Sequence, residues 1–220
     1  MAKAVLFTSG KGGVGRKQIL INAAYYARTL EKKVLIVNFD NNRQLGLPAA
    51  NKEQLLCIQI SDDVKLENVR NILRLSRDNS DFIFITGNIM SIFRSVEAVD
   101  AVLLITTPYK TSIESSLVSS NLIRNRFGDS IYSIINKAGE CPDYEYSHKA
   151  IAKYLNTAIL GVIPYDEEII KAEQLDAFYV ECAESSPAAL ATMRVTNKII
   201  SGDYPKTIFL EDLQSILNEG

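Results

Sequence analysis

The sequence of 220 residues is poor in the side chains that build metal centres and disulfide frameworks. It has no tryptophan, a single histidine at His148, and three cysteines that lie far apart at Cys57, Cys141 and Cys182. Such spacing fits neither a disulfide scaffold nor a zinc site. We therefore expect three free thiols and no metal bound by histidine or cysteine.

Long apolar runs are missing as well. No uninterrupted apolar stretch approaches the roughly 20 residues that a membrane-spanning helix needs, and the apolar start of the chain is shorter than the apolar region of a signal peptide. These absences predict a cytoplasmic protein. Because 47% of the residues are hydrophobic and 23% are charged, the composition is that of a globular domain with a sizeable core.

Charge is unevenly distributed, although the formal net charge is only −2. Residues 1–140 carry 18 Lys and Arg against 13 Asp and Glu, whereas residues 141–220 carry 6 against 13. DNA and anionic lipid headgroups are bound mainly through Lys and Arg, so the acidic last third would repel both. We therefore do not expect DNA as a partner.

Short apolar runs alternate with segments of helical periodicity as far as about residue 200. Strands are predicted over residues 3–8, 34–37, 55–60, 81–86, 101–106, 131–135 and 158–163. Helices are predicted over residues 16–29, 66–77, 111–126, 147–155 and 188–200, with caps at 61–63, 111–112 and Gly128. This alternation predicts an α/β fold, a doubly wound and mostly parallel sheet with helices on both faces. Ligands of such sheets bind where the carboxyl ends of the strands open into loops.

The first loop, from Ser9 to Gln18, is rich in glycine and joins a predicted strand to a predicted helix. Its glycines allow backbone N–H groups to converge on phosphates, helped by the positive end of the helix. A P-loop reads G-x-x-x-x-G-K-[S/T], in which the lysine contacts the β- and γ-phosphates and the hydroxyl binds Mg²⁺. Here Arg16 and Lys17 occupy those two positions. The loop therefore predicts a phosphate site with altered chemistry.

Six segments match one known family in the family's own order. They are KGGVG at 11–15, NFD at 38–40, ITTP at 105–108, IINK at 134–137, LGVIPYD at 160–166 and SPA at 186–188. On these segments the chain resembles the MinD/ParA group of P-loop ATPases, which carry a deviant Walker A motif. The resemblance implies a P-loop domain over residues 1–205 and ATP or ADP as the ligand.

The resemblance also implies roles for single residues. Lys11 matches the signature lysine, which reaches across a homodimer to the partner's nucleotide, and Asp40 matches the catalytic aspartate. Asn136 falls where the family reads adenine, and Pro164 and Asp166 fall beside the base. The implied phosphate-binding set is Gly10, Lys11, Gly12, Gly13, Val14, Gly15, Arg16, Lys17 and Gln18. The residues alone leave open that Lys11 is a solvated loop lysine and Asn136 a turn residue.

Four positions depart from the family pattern. Arg16 replaces the phosphate-binding lysine, and its planar guanidinium cannot place a compact charge at the same point. Lys17 replaces the hydroxyl that binds Mg²⁺, and an ammonium group has no lone pair for a cation. Asn38 stands where many relatives have the first switch aspartate, and Thr86 where they have the Walker B aspartate. These changes predict no metal site, nucleotide binding without Mg²⁺, and weak or absent hydrolysis.

The favoured hypothesis is a degenerate ATPase that acts as a positioning or regulatory adaptor, as in the pilus and flagellum branches of the family. It would form a homodimer with nucleotide at the interface and act on a protein partner in a positioning or assembly system. A second hypothesis is a slow ATPase that uses Asp40 and Arg16. A third is an interaction module that binds no nucleotide.

The tail, residues 206–220, has the pattern of an amphipathic helix. Its apolar side consists of Ile208, Phe209, Leu213, Ile216 and Leu217. The polar side is acidic, whereas anionic membranes favour Lys and Arg there, so membrane contact is not supported. We expect the tail to pack on the domain or on a protein partner.

Overall fold

Strands and helices alternate along the residues that the computed structural model describes, which are 2–40, 45–48, 55–61 and 64–206. The strands are β1 (Lys3–Thr8), β2 (Val34–Phe39), β3 (Leu56–Gln59), β4 (Phe82–Gly87), β5 (Ala101–Thr106), β6 (Ile131–Ala138) and β7 (Ala158–Pro164). The helices are α1 (Arg16–Thr29), α2 (Leu66–Asn79), α3 (Ile89–Ser95), α4 (Lys110–Phe127), α5 (His148–Leu155), α6 (Glu167–Gln174), α7 (Tyr179–Cys182) and α8 (Pro187–Ser201).

The seven strands form one sheet in the order β3-β2-β4-β1-β5-β6-β7, and every neighbouring pair is parallel. The predicted α/β fold is thereby confirmed. Because the strands are parallel, their carboxyl ends share one edge. β1 is the central strand, with β3, β2 and β4 on one side and β5 to β7 on the other. The loop after β1 therefore emerges where the chain changes direction across the sheet, which is the usual ligand position.

Helices cover both faces of the sheet. One face packs against α1, α7 and α8, and this part of the core includes Phe7, Phe84 and Tyr179. The other face packs against α2, α3, α4 and α5, around residues such as Leu6 and Ile83. All residues of β2, β4 and β5 are buried, which explains why these strands are continuous apolar runs without alternation.

The sequence patterns do not predict α3, α6 or α7. These helices have 7, 8 and 4 residues, so each completes too few turns to display a helical period. α3 and α6 begin with side-chain caps, whereas the N-cap residue of α7, Phe178, provides none. Asn88 caps α3 by accepting hydrogen bonds from Met90 and Ser91 N–H groups.

The predicted N-cap at Thr111-Ser112 is wrong. α4 begins at Lys110, and Tyr109 occupies the N-cap position without a side-chain cap. The Ser112 hydroxyl instead accepts a hydrogen bond from the N–H of Thr107 at 3.0 Å and meets Thr106 Oγ1 at 3.0 Å. Ser112 therefore ties the first turn of α4 to the end of β5.

The other two predicted caps have different outcomes. Lys65 occupies the N-cap position of α2 and makes no side-chain cap, so the predicted cap at 61–63 is wrong for Ser61, and residues 62–63 lie outside the described ranges. Gly128 is confirmed as the C-cap of α4, with φ at 82°. The predicted tail helix lies outside the described residues from 207 onward. Among the helices that are described, none is long and apolar enough to cross a membrane.

The glycine loop packs against α4 without a side chain between them. A Cβ atom added to Gly10 would lie 2.2 Å from both the carbonyl carbon and the carbonyl oxygen of Ser115. These are backbone atoms of a helix, so they cannot move aside cheaply. A Cβ atom on Gly12, two residues further along the same loop, would meet nothing within 4 Å.

The two glycines provide a matched test of this contact. We expect Gly10→Ala to lower the free energy of unfolding by about 1–3 kcal/mol, the usual cost of forcing a methyl group into a packed region. Gly12→Ala should change it by less than about 0.5 kcal/mol, as for an ordinary surface substitution. Urea denaturation of both variants measures the difference. Equal stability of the two would contradict the contact with α4.

Candidate functional site

A cleft of ≈ 830 Å³ lies at the carboxyl edge of the sheet, between the glycine loop and the segments that follow β2, β6 and β7. Every residue predicted for the site lines it. These residues are Gly10, Lys11, Gly12, Gly13, Val14, Gly15, Arg16, Lys17, Gln18, Asp40, Asn136, Pro164 and Asp166. Four separate segments of the chain are thus brought together.

The start of α1 faces this cleft through the glycine loop. Gly15 is the N-cap residue, has φ at 84°, and offers no side chain to cap the helix. The positive end of α1 is therefore placed against the cleft, as in sites that bind anions at a helix N-terminus.

Asn136 at the end of β6 holds the glycine loop in this conformation. Its Nδ2 donates a hydrogen bond to the carbonyl oxygen of Val14 at 2.9 Å. A Cβ atom on Gly15 would lie 2.2 Å from that same nitrogen, so only glycine permits the contact. The residue is 4% exposed, and its Oδ1 has no hydrogen-bond partner in the described part of the chain. This buried acceptor is suited to an N–H donor on a bound ligand.

A carboxylate and two cations meet at the end of the cleft beside the first turn of α1. Arg16 Nη2 lies 3.0 Å from Asp40 Oδ2, and Lys17 Nζ lies 3.5 Å from the same oxygen. Arg16 Nη1 also donates to the carbonyl oxygen of Gly87 at 3.3 Å. Burial lowers the pKa of the Arg16 guanidinium, and the charge of Asp40 opposes this shift. We call these three side chains the Asp40 ion cluster.

Asn38 has a structural role at the end of β2. Its Oδ1 accepts a hydrogen bond from the Asp40 N–H at 3.1 Å, and its Nδ2 donates to Gln59 Oε1 at 2.8 Å. Gln59 Nε2 in turn donates to the carbonyl oxygen of Asp40. An aspartate at position 38 could not donate to Gln59, so the amide fits this network better than the carboxylate of the family pattern.

The described residues do not fit a bound Mg²⁺. Lys17 places an ammonium group beside Asp40. Both the oxygen and the nitrogen of the Asn38 side-chain amide form hydrogen bonds within the protein. Thr86 is fully buried on β4, and its Oγ1 has no hydrogen-bond partner among the described residues. No group of three or more His, Cys, Asp or Glu side chains in the described ranges could hold a metal ion.

Two other predicted residues lie on the exposed rim of the cleft. Lys11 Nζ donates to Thr111 Oγ1 on α4 at 3.3 Å, so this lysine contacts its own chain. Gln18 Nε2 donates to Glu173 Oε1 on α6. The contact between Gln18 and Glu173 joins the two walls of the cleft. A role of either residue toward phosphate stays a prediction.

Asp166 connects two helices at the end of the cleft that follows β7. Its Oδ1 accepts from the N–H of Glu168 in α6, and its Oδ2 accepts from the N–H of Ala188 in α8, both at 3.0 Å. Burial raises the pKa of Asp166, but these backbone donors, with Ser186 and Lys171, outweigh burial and lower it. The carboxylate is therefore engaged in capping, and its contact with a base stays a prediction.

Several cleft residues are not predicted by the sequence patterns. They are Ser9 and Ile19 at the ends of the glycine loop, Leu45 and Gly46, Lys137 in β6 and Glu140 after it, and Tyr165, Ile169, Ile170, Glu173 and Tyr179 after β7. The largest group comes from α6 and the segments around it, which the patterns do not predict. The available signal was the aspartate of the LGVIPYD segment, because Asp, like Ser or Asn, commonly precedes a helix.

The capping role of Asp166 makes stability depend on pH. Because the pKa of Asp166 is lower in the folded chain than the ordinary value of about 4, its stabilisation is present above about pH 4 and is lost as the pH falls through the lowered value. Asp166→Asn keeps only one oxygen for two N–H donors. We expect it to lower the free energy of unfolding by about 1 kcal/mol at pH 7, and by less at pH 3.

Urea denaturation at the two pH values measures this difference. Asp143→Asn, in the exposed 3-10 turn at Pro142–Tyr144, is the matched control and should stay within about 0.5 kcal/mol of the parent. A loss in Asp166→Asn that is the same at pH 7 and pH 3 would contradict the role of the ionised carboxylate.

Two relatives are similar in sequence to this chain along most of its length. An ATP-binding protein of Methanocaldococcus jannaschii is 25% identical over an alignment of 238 residues. The alignment covers 93% of this chain and 90% of the relative. The antiactivator FleN of Pseudomonas aeruginosa is 25% identical over 252 residues, which cover 92% of this chain and 88% of FleN.

Solved structures share the fold. The MinC:MinD cell division protein complex of Aquifex aeolicus contains a chain with a TM-score of 0.79 and 18% identity, covering 94% of this chain and 100% of that one. The septum site-determining protein MinD of Pyrococcus horikoshii, complexed with Mg-ADP, gives a TM-score of 0.70 at 18% identity, covering 90% of this chain and 96% of that one.

A known protein family matches most of this chain. The family described as the CobQ/CobB/MinD/ParA nucleotide binding domain matches residues 5–177, which include the glycine loop, Asp40, Asn136 and Asp166. The match covers most of the chain and all of the sheet except the first two residues of β1. The chain therefore belongs to the MinD/ParA family of nucleotide-binding proteins.

Proposed function

We propose that this protein holds ATP or ADP in the cleft without Mg²⁺, hydrolyses it weakly or not at all, and acts as a regulatory or positioning adaptor. The observation that carries this proposal is the Asp40 ion cluster. Two fixed cations, Arg16 and Lys17, stand beside Asp40 at the places of the P-loop lysine and the metal-binding hydroxyl.

The chain supplies contacts for each part of a nucleotide. Backbone N–H groups of the glycine loop and the positive end of α1 would hold the phosphates, with Arg16 and Lys17 at the β/γ end. The unpaired Oδ1 of Asn136 would accept a hydrogen bond from the exocyclic amine of adenine. Pro164 lines the cleft and would lie beside the base. The Mg-ADP complex of a MinD relative supports a nucleotide as ligand.

Hydrolysis would lack several of the groups on which it depends. Phosphoryl transfer in P-loop proteins relies on a metal ion and a positioned lysine to stabilise charge on the γ-phosphate. The described residues do not fit the metal, and Asp40 already contacts two cations. Without the metal ion and the positioned lysine, the activation free energy of hydrolysis rises by several kcal/mol, which lowers the rate by many powers of ten.

The adaptor role is supported by the kinds of protein that this chain resembles. FleN is named as an antiactivator, and a MinD relative is seen in a complex with MinC. By analogy, nucleotide would sit at the interface of a homodimer, with Lys11 reaching toward the second copy. Lys11 is exposed, and its Nζ donates a hydrogen bond to the Thr111 hydroxyl within the described part of the chain, so little opposes its movement. A protein partner would then recognise the dimer.

Metal dependence provides the first test. In isothermal titration of ATP, we expect the Kd in EDTA to lie within about threefold of the Kd in Mg²⁺, because fixed cations replace the ion. A lysine variant that restores the P-loop pattern, Arg16→Lys with Lys17→Thr, is the matched control and should bind more tightly with Mg²⁺ than with EDTA. Binding by the parent that vanishes in EDTA would overturn the proposal.

The slow ATPase is a second candidate, because Asp40 lines the cleft and lies beside Arg16. Phosphate release under single-turnover conditions, with the protein in excess over ATP, separates the two. We expect no burst above background in the parent or in Asp40→Ala. A burst in the parent that is lost in Asp40→Ala would favour the enzyme. Flat isotherms for ATP, ADP and GTP would instead favour an interaction module that binds no nucleotide.

A further inference from the structure

Asp40 occupies a place that another anion would need. Its Oδ2 lies within 3.5 Å of both Arg16 and Lys17, and the cleft that these side chains line is continuous with the glycine loop. Side chains at positions 16 and 17 of a P-loop reach the β/γ end of a nucleotide. A carboxylate and a terminal phosphate are both anions that accept hydrogen bonds from guanidinium and ammonium groups. The two therefore compete for the same donors.

The carboxylate is held in this place by its own backbone. The Asp40 N–H donates to Asn38 Oδ1, and the Asp40 carbonyl oxygen accepts from Gln59 Nε2. Asn38 is fully buried, and its register beside Thr86 of β4 fixes the end of β2. Because the position of Asp40 is set by the sheet, its side chain stays close to the cations without a large entropic cost.

Arg16 is held from a second direction. Its guanidinium donates to the Gly87 carbonyl oxygen as well as to Asp40, and its side chain is only 18% exposed. A partly buried guanidinium needs an anionic partner, because water cannot fully solvate it. In the nucleotide-free protein Asp40 is that partner. A terminal phosphate that binds Arg16 must displace this carboxylate or share the cation with it.

We propose that Asp40 is an internal competitor for the terminal phosphate and so sets the protein's preference between ATP and ADP. This inference rests on the proposed binding of nucleotide in the cleft. ATP brings both its β- and its γ-phosphate to the cations of the Asp40 ion cluster, whereas ADP brings only its β-phosphate and displaces the carboxylate less. Asp40 therefore weakens ATP binding more than ADP binding, and the parent protein binds the two with similar affinity.

The test is isothermal titration of ATP and of ADP, both in EDTA, with the parent protein and with Asp40→Asn. The asparagine keeps an oxygen acceptor for Arg16 but removes the negative charge. We expect the Kd for ATP to fall about tenfold, as for removal of one competing charged hydrogen bond, and the Kd for ADP to change by less than about threefold. The parent should bind ATP and ADP with Kd values within about tenfold of each other.

Asp129→Asn is the matched control. It also removes a carboxylate from an arginine, since Arg124 Nε lies 2.8 Å from Asp129 Oδ1, but it lies before β6 at the opposite edge of the sheet. Both Kd values should stay unchanged in this variant. Any tightening seen equally in Asp129→Asn would be a general effect of net charge and would overturn the inference.

The remaining outcomes separate this inference from the proposed function. Flat isotherms in all proteins would remove the proposed function, whereas binding by the parent with unchanged or weaker ATP affinity in Asp40→Asn would overturn the inference alone. If Asp40→Asn fails to fold, as judged by circular dichroism, the comparison uses Asp40→Ser and the parent. A parent protein that prefers ATP over ADP by more than about a hundredfold overturns the inference without any variant.

Discussion

The pairing of one carboxylate with two cations joins most of the elements that form the cleft. Through Arg16 and Lys17 it reaches the first turn of α1, through Asp40 the end of β2, and through the Gly87 carbonyl oxygen the end of β4. Gln59 adds the neighbouring strand β3. The glycine loop is thus held on one side by the ion pairs of Arg16 and Lys17 with Asp40, and on the other side by the hydrogen bond from Asn136 to the Val14 carbonyl oxygen. The shape of the cleft depends on both attachments.

The two ends of the cleft differ in how closely they keep the family pattern. At the end formed by β6 and β7, Asn136, Pro164 and Asp166 line the cleft, and Asp166 also caps two helices. The loop after β6 is ordered by Glu145, which accepts hydrogen bonds from the N–H groups of Gly139 and Cys141. At the end beside α1, three of the four changed residues, Arg16, Lys17 and Asn38, contact other residues of the protein, whereas Thr86 Oγ1 has no hydrogen-bond partner among the described residues. The substitutions at 16, 17 and 38 therefore form one network, since each side chain contacts Asp40 or its backbone.

Local patterns and long-range pairing explain what the sequence could and could not predict. The strands and the long helices could be predicted from the sequence, because buried parallel strands such as β2, β4 and β5 are continuous apolar runs and long helices have a visible period. The short helices α3 and α6 were not, and their starts depend on caps such as Asn88 and Asp166. The glycine loop predicted the location of the cleft. The contact of Arg16 with Asp40, 24 residues away, follows only from the order of strands in the sheet.

A fixed cation and a metal ion place different demands on a phosphate site. Mg²⁺ arrives and leaves with its nucleotide, so a site that uses it can be neutral when empty. Arg16 and Lys17 remain when the nucleotide leaves, and two neighbouring cations in a partly buried cleft repel each other and lack full hydration. A resident anion relieves this repulsion. Asp40 thus has a clear physical role even without hydrolysis, because the nucleotide-free site requires a negative charge between its two fixed cations.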